Sequence, residues 1–275
     1  ELNYEIEAWN TNGNSYIWVR IPQFTNNCSI WAYWGAGTDI LPCTTNGTTW
    51  SPGFGSVWHL REGGGINYDS VARYVGTPAN VISASGVVDG AEYFDGSNAM
   101  INTTYGQPSI TSYTVSAWIK TTDAAANRMI LNDRGSGSGQ SLSFGLRTGG
   151  GRPFFGYDTS GVLVGMDAVN SINDDAWHHL AGVWTAPYGT QVMTNQFTIY
   201  VDGFEVAATP AVSGVAPYVP VVGAGASQIA YHQVWAANLT AGLDEIRAET
   251  ATRSSNWIWA CWMNQGTNHN SFVNY

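Results

Sequence analysis

Short apolar or aromatic fragments, each running straight into a turn residue, recur along this 275-residue chain and leave little room for helical periodicity. Tyr4-Glu5-Ile6-Glu7-Ala8-Trp9, Tyr16-Ile17-Trp18-Val19-Arg20-Ile21 and Ser29-Ile30-Trp31-Ala32-Tyr33-Trp34 alternate with the period of two that a half-buried strand requires. Tyr113-Thr114-Val115-Ser116-Ala117-Trp118-Ile119, Met129-Ile130-Leu131, Leu142-Ser143-Phe144-Gly145-Leu146 and Phe197-Thr198-Ile199-Tyr200-Val201 continue the series. Val201-Asp202-Gly203-Phe204 reads as a two-residue hairpin, because both central positions of a type I′ turn need positive φ. Many short strands separated by Gly-rich turns predict an all-β sandwich.

The stretch from Gly35 to Gly55 loses this periodicity and is rich in Gly, Thr and Pro, so it reads as a long connection. The chain is therefore divided into a partial β domain with its linker over 1–56 and a sandwich domain over 57–275. One helix is predicted after Arg253. Ser254 or Ser255 can cap it, and Trp257, Ile258, Cys261 and Trp262 fall on one face, which is expected to pack on the outside of a sheet.

Hydrophobic content of 44%, with 13% aromatic, supports a sizeable core, while charged residues make up only 11%. Lys120 is the only lysine, and polarity comes instead from Asn, Thr, Ser and Gly. The formal net charge is −10 with no basic stripe, which excludes nucleic acid and disfavours anionic membrane surfaces. No apolar run approaches the ~18 residues that span a bilayer. The chain opens Glu1-Leu2-Asn3-Tyr4 without a signal peptide or initiator Met, so Glu1 reads as a processed or engineered start. Cys28, Cys43 and Cys261 fit no zinc spacing. Either Cys28 and Cys43 bridge their short loop and Cys261 is a buried thiol, or all three are buried free thiols.

Val57-Trp58-His59-Leu60, Phe94-Asp95-Gly96, Ala176-Trp177-His178-His179-Leu180-Ala181-Gly182-Val183-Trp184, Ile199-Tyr200-Val201-Asp202-Gly203 and Leu243-Asp244-Glu245-Ile246-Arg247 occur in an informative order. With Asp69-Ser70 and Arg253-Ser254-Ser255-Asn256-Trp257-Ile258, they make the chain from about Val57 onward resemble the laminin-G-like branch of the concanavalin A-like jelly rolls. The first part, carried by Tyr4-Glu5-Ile6-Glu7, Ile17-Trp18-Val19 and Trp31-Ala32-Tyr33-Trp34-Gly35, resembles the C-terminal half of a small β domain of unknown function that often precedes such modules in bacterial surface proteins. The earlier strands of that domain are absent, which predicts an open sheet edge. The resemblance implies a jelly roll of about fourteen strands in two sheets, at the cell surface or outside the cell. It also implies a non-catalytic binding or adhesion role toward a glycan or other surface ligand. A strand docking from another copy at the open edge would instead make a filament or layer subunit.

Glycosidases of the jelly-roll architecture align three carboxylates as Glu-x-Asp-x-Glu. Here the corresponding string is Glu245-Ile246-Arg247-Ala248-Glu249, and an arginine between the glutamates pairs with them and spoils the general acid, so no enzyme is expected. His178 and His179 point to opposite faces and cannot chelate one ion together. His59 reads as a satisfied core residue. The acidic turns offer better metal ligands: Asp95 and Asp244 are candidates for a structural calcium, as is common in related jelly rolls. Of the thirteen tryptophans, those in strand patterns are assigned to the core. Loop residues Asp133, Arg134, Tyr157, Asp158, Tyr231 and Trp235 form the candidate ligand site, with aromatic faces for sugar rings and polar groups for hydroxyls. Sequons at Asn27, Asn46, Asn102 and Asn238 leave glycosylation open.

Overall fold

The computed structural model describes residues 2–23, 29–33, 35, 46–106, 111–134, 141–159, 162–215, 225–233 and 235–266. Two strands open the chain, β1 (Tyr4–Ala8) and β2 (Tyr16–Val19). Next come β3 (Phe54–Trp58), β4 (Asn67–Tyr68), β5 (Val75–Ala79), β6 (Ile82–Ser85), β7 (Gly90–Asp95), β8 (Met100–Thr103) and β9 (Ser112–Lys120). The middle supplies β10 (Arg128–Arg134), β11 (Ser141–Leu146), β12 (Pro153–Thr159), β13 (Val162–Ala168) and β14 (Trp177–Thr185). The last third supplies β15 (Phe197–Val201), β16 (Phe204–Glu205), β17 (Ala208–Ser213), β18 (Gln228–Ile229), β19 (Tyr231–His232), β20 (Ala237–Asn238) and β21 (Thr240–Glu249). A single described α-helix, α1 (Ser255–Gln265), follows.

The strands build two large antiparallel sheets. One has nine strands in the order β17-β13-β12-β11-β10-β18-β8-β5-β4. The other has eight, with the path β16-β15-β14-β9-β21-β7-β6 and β3 added against β21. The expected count of about fourteen is exceeded because two-residue ladder fragments such as β4, β16 and β18 complete the sheets. The Asp202-Gly203 turn carries φ of 50° and 82°, so the hairpin has the expected primed geometry. The run from Ser29 does not form a strand over residues 29–33, and Trp31 and Tyr33 lie at the surface. Alternation alone cannot hold a strand without a partner ladder. Trp34, Cys28 and Cys43 lie outside the described residues, whereas Cys261 is a half-buried free thiol.

Inward-facing residues of both sheets form one core, in which Trp58, Phe94, Val115, Ile130, Phe144, Trp184 and Leu243 are fully buried. Burial of such side chains contributes about 1.5–3 kcal/mol each and drives the sheets together. Phe155 sits at the centre, edge-on to Phe144 and Phe197 with ring centroids 6.0 and 5.4 Å away. The ring fits only because Gly182 lies beneath it; a Cβ there would stand 2.5 Å from the Phe155 ring.

The outer face of the eight-stranded sheet is covered from two sides. Helix α1, capped by Ser254 Oγ accepting from the Trp257 amide, lays Ile258 on Ala181, Val183 and Tyr200. The expected face is thus partly right: Ile258 is buried, but Trp257 stays open to solvent beneath the Arg253 guanidinium. The second cover joins Trp18 of β2 with Trp50, Phe54, Val57 and Val71, so Trp50 packs tightly inside the stretch expected to be a connection.

Candidate functional site

Beneath the β1–β2 hairpin lies a dense group of buried charged residues. Alternation along β1 turns Glu5 and Glu7 toward the jelly roll and Ile6 away from it. Trp18 Nε1 donates to Glu7 Oε2 at 2.6 Å, and Trp50 Nε1 and Ser70 Oγ donate to the two oxygens of Glu5 at 2.5 and 2.7 Å. His59, two residues beyond Val57, shares its outward face. Its Nδ1 lies 2.5 Å from Glu245 Oε1 and 3.3 Å from Glu7 Oε2, and its Nε2 lies 3.6 Å from Glu5 Oε1.

A bulge in β21 delivers Glu245. Against β9 the register shifts between Asp244 and Arg247, and Glu245 takes φ of 53°, a region few non-glycine residues adopt. The extra residue lets Leu243 and Ile246 both enter the core while Glu245 and Arg247 stay outside it. Arg247 Nη2 donates to Glu245 Oε2 at 2.5 Å, and its guanidinium lies over Trp18 and Trp50 at 4.4 and 5.1 Å. Arg253 pairs with Glu249 in the same way further along. A cleft of about 240 Å³, lined by Glu5, His59, Arg61, Glu62, Tyr68, Asp69 and Ser70, opens beside the group.

Burial and neighbouring charge split these carboxyls apart. Burial first, and then the negative Glu245, push Glu7 up to about 8. Burial would also raise Glu245, but His59 and Arg247 outweigh it and hold that carboxylate below its ordinary value. Burial would lower His59, yet Glu245, Glu5 and Glu7 leave it well above the usual histidine range. At Glu249 burial outweighs the pairing with Arg253 and raises the carboxyl. A protonated and an ionised glutamate side by side have the makings of acid–base work, but Glu7 and Glu245 are both sealed from solvent.

The residues expected to bind ligand are not brought into one cluster. Asp133 and Arg134 end β10, and Asp158 lies near the end of β12; their side chains fall outside the described residues. Tyr157 belongs to the core at 2% exposure, and burial pushes its phenol up to about 12, so its ring cannot meet a ligand at the surface. The reason is alternation: Tyr157 pairs with Leu142 and Val164, which both point inward. Tyr231 is half-buried and Trp235 is 57% exposed, and both lie toward the start of β10, because β18 pairs antiparallel with Leu131 and Asn132.

The two acidic turns are also separate. Asp95 Oδ1 accepts from the amides of Ser97, Asn98 and Ala99, and Oδ2 from Ser97 Oγ, which holds the carboxyl down to about 2. Asp244 Oδ2 accepts from the Val87 and Val88 amides, Oδ1 has no partner among the described residues, and burial with Glu245 nearby raises it strongly. Asp95 pairs with Thr240, four residues from Asp244 and so roughly 13 Å along the strand. One calcium ion cannot take both.

His178 and His179 separate as expected. His179 is buried edge-on to Trp118, 5.3 Å between centroids, and burial drops it to about 3. His178 Nδ1 lies 2.8 Å from Asp202 Oδ2 and Nε2 lies 3.1 Å from Asp174 Oδ1, which raise its affinity for a proton. A raised folded value means the contribution is complete below the unfolded value near 6.5 and is lost as pH climbs through the folded one. Thermal unfolding should therefore separate wild type from His178→Gln at pH 6 and bring the two together by pH 9. A gap that stays constant across that range would count against the pairing.

An unforeseen feature crosses the outer face of the nine-stranded sheet. Register places Thr77, Asn102, Gln228, Asn132, Ser143 and Gly156 in one row over six strands. Gln228 Nε2 donates to Asn102 Oδ1 at 2.8 Å and Asn132 Nδ2 to Ser143 Oγ at 2.7 Å. Thr77 and Asn102 are exposed and Gln228 is half-buried, whereas Asn132, Ser143 and Gly156 are buried, so the open part of the row is its β5–β8–β18 end. Of the sequons, Asn102 is exposed, whereas Asn238 is buried and donates to the Ala99 carbonyl.

Two interlocked sheets of this topology match what comparison with known proteins finds. The family model of the concanavalin A-like lectin/glucanases superfamily, in its laminin-G-like form, matches residues 92–259. This chain belongs to that family. Comparison with curated protein sequences finds no match. Among solved structures, domain 4 of an extracellular arabinanase from Geobacillus stearothermophilus, in complex with arabinotriose, is similar at a TM-score of 0.50 and 19% identity, covering 66% of this chain and 81% of that one. The botulinum neurotoxin serotype D binding domain is similar at 0.51 and 12% identity, covering 77% of this chain. The chain spans about half the length of that neurotoxin domain, 51%. At such identities the likeness establishes the fold alone.

Proposed function

We propose that this chain is a non-catalytic extracellular module that binds glycans across the outer face of its nine-stranded sheet. The row of Thr77, Asn102 and Gln228 carries this reading, because it offers neutral donors and acceptors suited to sugar hydroxyls on a surface with few charges. Asp133 and Arg134 continue β10 beyond Asn132, Asp158 continues β12 beyond Gly156, and exposed Trp235 stands toward the other end. The arabinanase domain solved with arabinotriose shares the fold, which supports the reading by analogy. The absence of catalysis is supported by Glu245 and Glu249, which are buried against Arg247 and Arg253 and cannot reach a glycosidic bond.

A glycan array tests this, run with and without calcium because Asp95 and Asp244 remain separate candidate ligands. Binding to at least one polysaccharide is expected, with Gln228→Ala weakening it several-fold to about ten-fold. Silence across many polysaccharides shifts weight to a second reading, a structural subunit that assembles through the N-terminal hairpin. That reading rests on the outward face of β1–β2, where Ile17 is exposed and Tyr4, Ile6 and Ala8 are half-buried. Size-exclusion chromatography with electron microscopy checks it. Filaments support it, and a monodisperse 29.6 kDa species rejects it.

A further inference from the structure

Glu7, His59 and Glu245 come from three distant stretches, yet one donor atom of each falls within 4.8 Å of the others. The geometry points to a divalent transition-metal site, zinc foremost, ligated by a Glu7 oxygen, Nδ1 of His59 and Oε1 of Glu245.

Two of the prospective ligands are held from behind, and the third has a carboxylate close by. Trp18 Nε1 donates to Glu7 Oε2 and Arg247 to Glu245 Oε2, while Glu5 Oε1 stands 3.6 Å from His59 Nε2, just beyond hydrogen-bond reach. Glu5 is fixed in turn by Trp50 and Ser70. Outer partners of this kind orient metal ligands, and a carboxylate behind a histidine selects the nitrogen that faces the ion. A second observation points the same way. Glu7 is 1% exposed, and its Oε1 accepts no hydrogen bond from any described residue. A buried oxygen in that state is destabilising unless a proton, a water or a cation takes it, and the donor atoms of His59 and Glu245 beside it suit a cation.

Charge agrees with this. An entering dication displaces the protons that His59 and Glu7 hold in its absence, and the three carboxylates Glu5, Glu7 and Glu245 with the one guanidinium of Arg247 then balance its two charges. One imidazole with two carboxylates suits zinc or manganese, whereas calcium wants six to eight oxygens. Three protein ligands leave zinc an open position, and the cleft lined by Glu5, His59 and Ser70 supplies an entry path. Because Glu7 lies on β1 and the other two ligands on the jelly roll, the ion pins the hairpin to the sheet.

The test strips the whole chain with a chelator and titrates it with zinc chloride by calorimetry. One ion per chain is expected. His59→Gln should weaken binding at least ~100-fold and Glu5→Gln about 10-fold, while His178→Gln changes nothing. Zinc should also slow proteolysis of the turn between β1 and β2. If His59→Gln fails to fold, cobalt bound to wild type decides: strong visible bands of four- or five-coordination are expected, and a pale six-coordinate spectrum overturns the site. It is equally overturned if stripped, folded wild type binds no zinc. Binding that His178→Gln abolishes and His59→Gln spares would mean a surface ion on His178, Asp174 and Asp202 only.

Discussion

Replacing Arg247 by Met is expected to lower the thermal midpoint by roughly 10 °C, from about 3–5 kcal/mol for a buried ion pair stripped of one partner. Arg247 is 5% exposed and lies over the rings of Trp18 and Trp50 with its charge on Glu245. Methionine fills much of the same space, so little of the loss would come from packing. The loss arises because Glu245, fully buried on its bulge, would then keep only His59 against two nearby carboxyls. Adding Glu245→Gln to the same chain should recover most of the deficit, since no charge is then left alone. Differential scanning calorimetry on the three variants checks this. A single substitution that shifts the midpoint by under about 2 °C would mean the pair contributes nothing.

Trp50→Ala should act on a different scale of structure. Large aromatic side chains cut to alanine cost about 3–5 kcal/mol, and here the loss falls on the contact between hairpin and sheet. The Trp50 ring donates to Glu5, packs edge-on to Phe54 at 5.2 Å and touches Trp18 at 5.4 Å. The hairpin should therefore come away while the jelly roll, whose core contains no residue of β1 or β2, stays folded. A broad-specificity protease should then cut between Ala8 and Tyr16 at least ten-fold faster, leaving a resistant remainder. An unchanged rate of cutting, or collapse of the whole chain at once, would show that the cover and the sandwich are not divided in this way.

What the sequence revealed follows from period and turn chemistry. The β9, β11 and β15 strands and the Asp202-Gly203 hairpin are written locally, because alternation and positive φ are properties of neighbouring residues. The helix was equally legible from its serine cap and apolar spacing. The Glu245–Arg247 pairing was visible too, since two residues apart on one strand share a face. Tyr157 shows the limit. Its flanking Asp158 and Gly156 look like a loop, and only the pairing with Leu142 and Val164 reveals that its ring points inward. The Glu7–His59–Glu245 group was hidden for the same reason: alternation put Glu5 and Glu7 on one face, but nothing local said that His59 and a bulge 186 residues beyond it would meet that face. The row from Thr77 to Gly156 exists only through the register of six strands.

Calorimetric titration of the strongest array ligand, followed by sizing of the recovered glycan, tests the binding role most directly. Wild type should bind saturably, Gln228→Ala and Asn102→Ala should each bind several-fold more weakly while remaining folded, and the glycan should come back at its original length. Equal affinity in all three proteins would remove the outer face of the nine-stranded sheet as the site, and shortened glycan chains would contradict a non-catalytic module outright.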